Sequence, residues 1–302
     1  MARGKPSASR TGKEKKRAKA RLNLRHGKPC GPELRKVALL QIEAALEALH
    51  GNNVSPDPVH DARTYIKKIR AILQLASPVM SRKQREKPTR LLKEAAMRLG
   101  PLRDSEVRVR TLDSLLEQTG LPADDYASLR AGLADVAKQR RQNDARRIPG
   151  VLASLRELRD STASWPLDDL EGKDLKRRIR RSYRRGRTAL DLCRATPGPG
   201  PFHLWRKQVK ELWYQLRITA PYWKEQAADL IKATGRIGQL AGDERDLTLL
   251  GETLRQGPQG KTTALLLGKI AELLPSLRRD AVKAGHAFYA NRPRHFIGDL
   301  EF

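Results

Sequence analysis

Two cysteines in 302 residues, Cys30 and Cys193, are too few for a disulfide-built scaffold and read as unpaired thiols in a reducing compartment. Long apolar runs are missing as well. No window approaches the roughly 18 residues of a membrane span, and the N-terminus lacks the apolar core of a secretory signal. Together these absences predict a cytoplasmic protein. Aromatic residues make up only 5% of the chain, which leaves few stacking platforms of the kind single-stranded nucleic acids favour. Acidic residues are outnumbered, 34 against 61 Lys and Arg, for a formal net charge of +27. Any partner is therefore expected to be strongly anionic. There is no phosphate-binding glycine loop, no carboxylate cluster at ligand spacing and no close pairing of the six histidines with acids. The chain is accordingly read as a non-enzyme, with no catalytic residues, no metal site and no cofactor.

What is present is a helical pattern. A hydrophobic content of 39% supports a real core. Residues 1–28 hold eleven Lys or Arg, one Glu and almost nothing apolar, so residues 1–30 are predicted to form a disordered basic tail. Apolar residues then recur at three- and four-residue spacing, as in Leu34, Val37, Ala38, Ile42, Ala45, Leu46 and Leu49. Similar patterns run through about 58–79, 83–99, 102–119, 123–147, 170–194, 201–219, 223–240, 244–255 and 262–290, with short Pro/Gly/Ser joints and no strand alternation. Ten helices exceed one four-helix core, so the expectation is an all-α fold of two antiparallel bundles. The seam is placed at Asp160–Gly172, where Trp165-Pro166 and Asp168-Asp169 interrupt the periodicity.

The chain repeats itself. Val59-His60-Asp61-Ala62-Arg63, followed by Lys67, matches Phe202-His203-Leu204-Trp205-Arg206, followed by Lys210, at an offset of 143. Gly100-Pro101-Leu102-Arg103-Asp104 matches Gly242-Asp243-Glu244-Arg245-Asp246 at 142. Two motifs in the same order with nearly the same shift indicate a duplicated unit and predict a pseudo-two-fold arrangement. Asp57-Pro58 and Gly200-Pro201 suit helix starts, which puts each histidine in a first turn. At about 100° per residue, His60, Arg63, Lys67 and Arg70 fall within roughly 80° of one another, a basic stripe about 15 Å long. A cation row on one helix is ordinarily a solvated face, but fold maintenance explains duplicated apolar positions far better than duplicated His, Arg and Lys. The stripe is therefore read as a cradle for a chain of phosphates, with the histidines gaining protons when phosphate binds, so that binding strengthens below neutral pH.

Two further features accompany the stripe. Arg103, Asp104, Arg245 and Asp246 are assigned a structural or orienting role, holding neighbouring cations. The run Arg177, Arg178, Arg180, Arg181, Tyr183, Arg184, Arg185, Arg187 is too dense to lie on one face. Arg180, Arg184 and Arg187 share a side and are its best ligand candidates.

The His-x-x-Arg-x-x-x-Lys-Lys-x-Arg run from His60 to Arg70, the His203/Arg206/Lys210 run with Tyr214, the two Arg-Asp segments and the Tyr183-Arg-Arg-Gly-Arg stretch resemble the CHAD domain, a helical domain named for its conserved histidines. The resemblance spans about residues 32–295, with the domain at 31–302 and its halves at about 32–160 and 168–295. It implies helical bundles related by pseudo-two-fold symmetry, a basic surface or central channel that binds inorganic polyphosphate, and targeting to polyphosphate granules. By position it points to His60, Arg63, Lys67, Arg70, His203, Arg206 and Lys210. Trp213 stands where the family pattern expects Arg, so the second half is expected to supply fewer ligands. Glu-x-Glu-x-Lys, the mark of the triphosphate-hydrolysing tunnel domain often joined to such modules, does not occur. The rival to this reading is sequence-independent binding of DNA or RNA, for which the net charge alone supplies salt-sensitive affinity. A scaffold that docks an acidic protein, with Trp205, Trp213, Tyr214, Tyr222 and Trp223 at the contact, is a third reading.

Overall fold

A computed structural model of the protein describes residues 20–50 and 56–302, leaving aside the side chains of residues 56, 57, 101–103 and 143–145. Helices α1 (Cys30–Ala48), α2 (Pro56–Leu75), α3 (Arg82–Arg98), α4 (Gly100–Thr119), α5 (Ala127–Ala145) and α6 (Ile148–Thr162) make up the first half. The second half comprises α7 (Gly172–Ala195), α8 (Pro199–Ile218), α9 (Ala227–Gln256), α10 (Lys261–Phe288) and the short α11 (Pro293–Phe296). Among the described residues the only β interaction is an isolated bridge between Trp223 and Leu300. Local signals account for several boundaries. Ser81 and Gln84 cap α3 reciprocally, and α4 ends at Gly120, whose φ of 66° suits a residue without Cβ.

Helices α1, α2, α3 and α6 pack in a closed ring, each against the next, and α7, α8, α9 and α10 form a second ring. The α4–α5 pair reaches out of the first ring so that α4 lies on α9, while α2 meets α8 directly. One apolar core runs through both rings, filled by residues such as Leu34, Ile42, Ile66 and Ile69 on one side and Ile179, Tyr183, Trp205 and Val209 on the other. A smaller core forms where Leu112, Leu115, Leu116 and Tyr126 meet Leu250, Leu254, Leu266 and Ile270.

Three stretches differ from the sequence expectation. The stretches 223–240 and 244–255, read as separate helices because of Gly242-Asp243, are one 30-residue helix, α9. The matching joint in the first half does break, at Leu99–Gly100, where Pro101 supplies no N–H to carry the helix through. Asp243 keeps its N–H, so α9 continues. The stretch 123–147 divides into a 3₁₀ turn at Ala123–Tyr126 and α5. Helix α6 lies between the predicted segments 123–147 and 170–194: Pro149-Gly150 falls in its first turn, where proline is tolerated, and Ile148, Val151, Leu155 and Leu158 bury one face.

The seam and the tail are more ordered than composition suggests. Trp165, Leu167 and Leu170 are buried, and Arg35 donates to the Trp165 carbonyl at 2.7 Å and to Asp168 at 3.1 Å. A side chain at Gly31 would strike the Leu167 carbonyl. The predicted disorder through residue 30 fails from residue 20 onward. Leu22 and Leu24 are in the core, the Leu24 N–H donates to the Ile218 carbonyl at 2.8 Å, and Arg21 and Arg25 reach Glu33 at 2.6 and 3.4 Å. Two leucines and a backbone bond offset the entropy that the basic composition argued could not be met. The tail's residues 1–19 lie outside the described residues.

Candidate functional site

Helices α2 and α8 present the repeated motif in the same register. Each begins with proline, Pro56 and Pro199, so His60 and His203 are both fifth in their helices, just beyond the first turn. The sequence expectation put them in the first turn, with Gly200-Pro201 at the second start; Gly198 precedes that helix instead. Asp57, the predicted cap, lies outside the described side chains.

The apolar side of α2 (Val59, Ala62, Ile66, Ile69, Leu73) is buried, which turns the basic side outward. His60, Lys67 and Arg70 are exposed and Arg63 is partly buried. Arg63 donates to the Ala96 carbonyl at 3.2 Å, at the end of α3. Burial lowers its guanidinium from the usual range, and the Asp104 charge pulls it back up. Lys67 carries the main electrostatic signal of the site. Partial burial, then Arg63, Arg206 and Lys210, lower its ammonium from 10.5 to about 8, with Asp246 opposing, although the residue as a whole stays exposed. Cations from both copies of the motif thus lie close enough to disfavour one another's charge.

On α8, His203, Arg206 and Lys210 are partly buried. Burial and then Lys207, Arg245 and Arg206 lower His203 from 6.5 to about 4, so its imidazole is neutral at pH 7. Its Nδ1 and the Nε of Arg206 are buried and have no hydrogen-bond partner, an uncommon state for buried polar atoms. Glycines on α9 let these side chains lie flat against that helix. A Cβ at Gly242 would meet the Arg206 guanidinium at 3.7 Å, and one at Gly238 would press on Lys210 at 3.2–3.4 Å. Lys210 also sits 4.4 Å from the Trp213 ring centroid, with Arg217 at 4.7 Å, so the residue at the expected Arg position packs two cations instead of adding one.

Carboxylates from α4 and α9 counter this cluster. Burial raises Asp246, Arg206 lowers it, and Asp243 and Asp104 raise it again, so the aspartates of the two repeated Arg-Asp segments feel each other. Arg108 is lowered by burial and Arg140, supported by Asp104 and Glu252, and lowered further by Arg245. Arg103 lies outside the described side chains. Sequence reasoning missed Arg108, because its counterpart 142 residues on is Leu250 and a search for repeated cations passes over it. It also missed the glycine bed, whose signal is the Gly235, Gly238, Gly242 spacing along one helix face.

The α7 arginines go elsewhere. Arg178 is buried and donates to Glu211 at 2.6 Å and to the Gln74 carbonyl and side chain at 2.9 and 2.7 Å, tying α7 to α8 and α2. Arg187 reaches the Asn291 carbonyl at 3.5 Å. Arg180 and Arg184 line a cleft with Arg177, Arg181, Arg292, Pro293, Arg294 and His295, into which none of the α2 or α8 stripe residues enters.

No group of three or more His, Cys, Asp or Glu able to hold a metal occurs among the described residues, and no described helix is long and apolar enough to cross a membrane. Among curated proteins none matches this chain. Its fold is shared by solved structures, among them the following two. The crystal structure of the CHAD domain from the plant Ricinus communis superposes with a TM-score of 0.64 at 19% identity, covering 86% of this chain and 90% of its own. PptA from Streptomyces chartreusis gives 0.63 at 15% identity, covering 87% and 100%. The family model for the CHAD domain matches residues 37–255, a span that runs from α1 through α9 and includes both copies of the motif. The chain belongs to the CHAD-domain family.

Proposed function

We propose that this protein binds inorganic polyphosphate in a basic groove where α2 and α8, from two halves related by pseudo-two-fold symmetry, meet. The carrying observation is the depressed Lys67 ammonium, which registers Arg63 from its own half together with Arg206 and Lys210 from the other. Cations held this close without a ligand repel one another, and a linear polyanion laid between the helices relieves all four at once. His60, Arg63, Lys67 and Arg70 supply one wall and His203, Arg206 and Lys210 the other. Asp104, Asp246, Arg245 and Arg103 set the orientation of those cations. The CHAD family is non-catalytic, so the role is binding, and the family resemblance extends it to a cytoplasmic protein carried to polyphosphate granules.

Competition binding at about 0.15 M salt tests the reading, because salt screens merely cationic attraction. Labelled long-chain polyphosphate is challenged with duplex DNA, RNA and short phosphates, using the wild type, the Arg63→Ala/Lys67→Ala/Arg206→Ala variant and a chain lacking residues 1–19. The expected result is that long polyphosphate wins by orders of magnitude and only the stripe variant loses it. Equal competition by DNA, with the loss following removal of residues 1–19, makes the protein a sequence-independent nucleic-acid binder instead.

A further inference from the structure

The second concentration of unpaired charge lies between α7 and the C-terminal segment. Arg177, Arg180, Arg181 and Arg184 fall within roughly 100° on one face of α7, over about 10 Å of helix. Arg292, Arg294 and His295 stand opposite, and the space between them is about 610 Å³. Six guanidinium groups and an imidazole line it, with no carboxylate among the lining residues. Asp174 lies 3.9 Å from Arg177. Among the described residues no carboxylate pairs with Arg180, Arg181, Arg184, Arg292 or Arg294.

Like charges on two opposed walls should splay apart unless something holds them. Here the walls are fastened together. The hydroxyl of Tyr183, a buried residue of α7, donates to the carbonyls of Phe288 and Asn291 at 3.1 and 3.0 Å. Its ring stacks on Phe296 at 3.9 Å between centroids and packs on Tyr289 at 5.0 Å. Gly186 lets Tyr289 approach α7 so closely that any Cβ there would collide with its hydroxyl. Phe296 packs in turn on Trp223, and the chain beyond it returns to Trp223 through Leu300. An aromatic clamp therefore fixes Arg292, Pro293, Arg294 and His295 over the α7 arginines. Such preorganisation against electrostatic repulsion is the arrangement of an anion site.

From this geometry we infer a second anion-binding site, separate from the α2/α8 stripe, that takes a compact oligophosphate: several phosphoryl groups carried on one small anion. Guanidinium forks match phosphate oxygens in pairs, so arginine in place of lysine throughout the lining selects phosphoryl groups over a diffuse negative surface. The volume falls in the range of small-ligand sites. One of its two walls, residues 292–295, lies beyond the part of the chain matched by the family model.

Isothermal titration of the full chain with tripolyphosphate at about 0.15 M salt tests it, comparing wild type, Arg184→Ala/Arg294→Ala and Arg63→Ala/Lys67→Ala. All four positions are charged side chains outside the hydrophobic core, and a thermal melt of each variant checks that the fold is kept. The expected outcome is a tripolyphosphate site that weakens at least about tenfold in the cleft variant and persists in the stripe variant. Unchanged stoichiometry and affinity in the cleft variant overturn the site. Loss in the stripe variant with retention in the cleft variant overturns it too, because tripolyphosphate then reads only the α2/α8 surface. The polyphosphate reading of that surface is judged separately, by long-chain competition.

Discussion

At the scale of single residues, the site is organised around groups whose protonation the ligand should change. Lys67 has a folded pKa of about 8 against 10.5, so between those values the unfolded chain holds more protons and stability rises with pH. His203, at about 4 against 6.5, has the same sign: ligand-free stability falls as pH drops through that window. Polyphosphate should reverse both shifts by supplying negative charge. Titrations in buffers of different ionisation enthalpy should therefore show proton uptake on binding at about pH 8.5, reduced in Lys67→Met, and affinity should increase on going from about pH 7 to pH 5.5, an increase lost in His203→Ala. Absence of both effects removes these residues from the contact. Away from the site, Arg178 is fully enclosed and depends on Glu211 for its charge. Glu211→Ala should lower stability by about 3 kcal/mol in a denaturant melt, because it strands a buried guanidinium.

Helix pairs decide where those residues stand. Trp205 is completely buried, one position before Arg206, and it packs α8 against α10 at Gly285. A Cβ at Gly285 would come within 2.6–2.9 Å of the indole and 3.1 Å of Leu190. Gly285→Ala, favourable for helix propensity alone, should therefore destabilise by roughly 1–3 kcal/mol through overpacking, seen as a lower Tm. On the other side of α8, Gly238→Leu should lift Lys210 off α9 and weaken polyphosphate binding several-fold with a smaller effect on Tm, measured by the same competition assay. These contacts explain why element boundaries were only partly legible. Proline and glycine punctuation identified the joint at Leu99–Gly100 but misread Gly242-Asp243. A glycine that ends a helix and a glycine that admits Arg206 look identical until the neighbouring helix is known.

The whole molecule carries +27, and that charge should govern association irrespective of which anion binds. Polyphosphate affinity is expected to fall steeply and linearly in log–log terms with salt, with a shallower slope for the Arg63→Ala/Lys67→Ala/Arg206→Ala variant, since each lost contact releases fewer counterions. Saturating polyphosphate at about 100 times Kd should add at most about 2.7 kcal/mol of stability, and less to the extent that the unfolded polycation also binds it. Much of the architecture could be read from order and spacing alone: the all-helical class, the buried faces of α1 and α2, the paired His/Arg/Lys motifs and the CHAD resemblance are periodic or repeated, and periodicity is a one-dimensional property. Tertiary structure alone decided three other things. It showed Lys67 within the influence of Arg206 and Lys210, packed residues 20–28 onto the domain through Leu22 and Leu24, and sent Arg180 and Arg184 to face Arg292 and Arg294. Each of these depends on which surfaces face one another after the helices pack, and electrostatic interaction falls with distance through space, which the separation of residues along the chain does not determine.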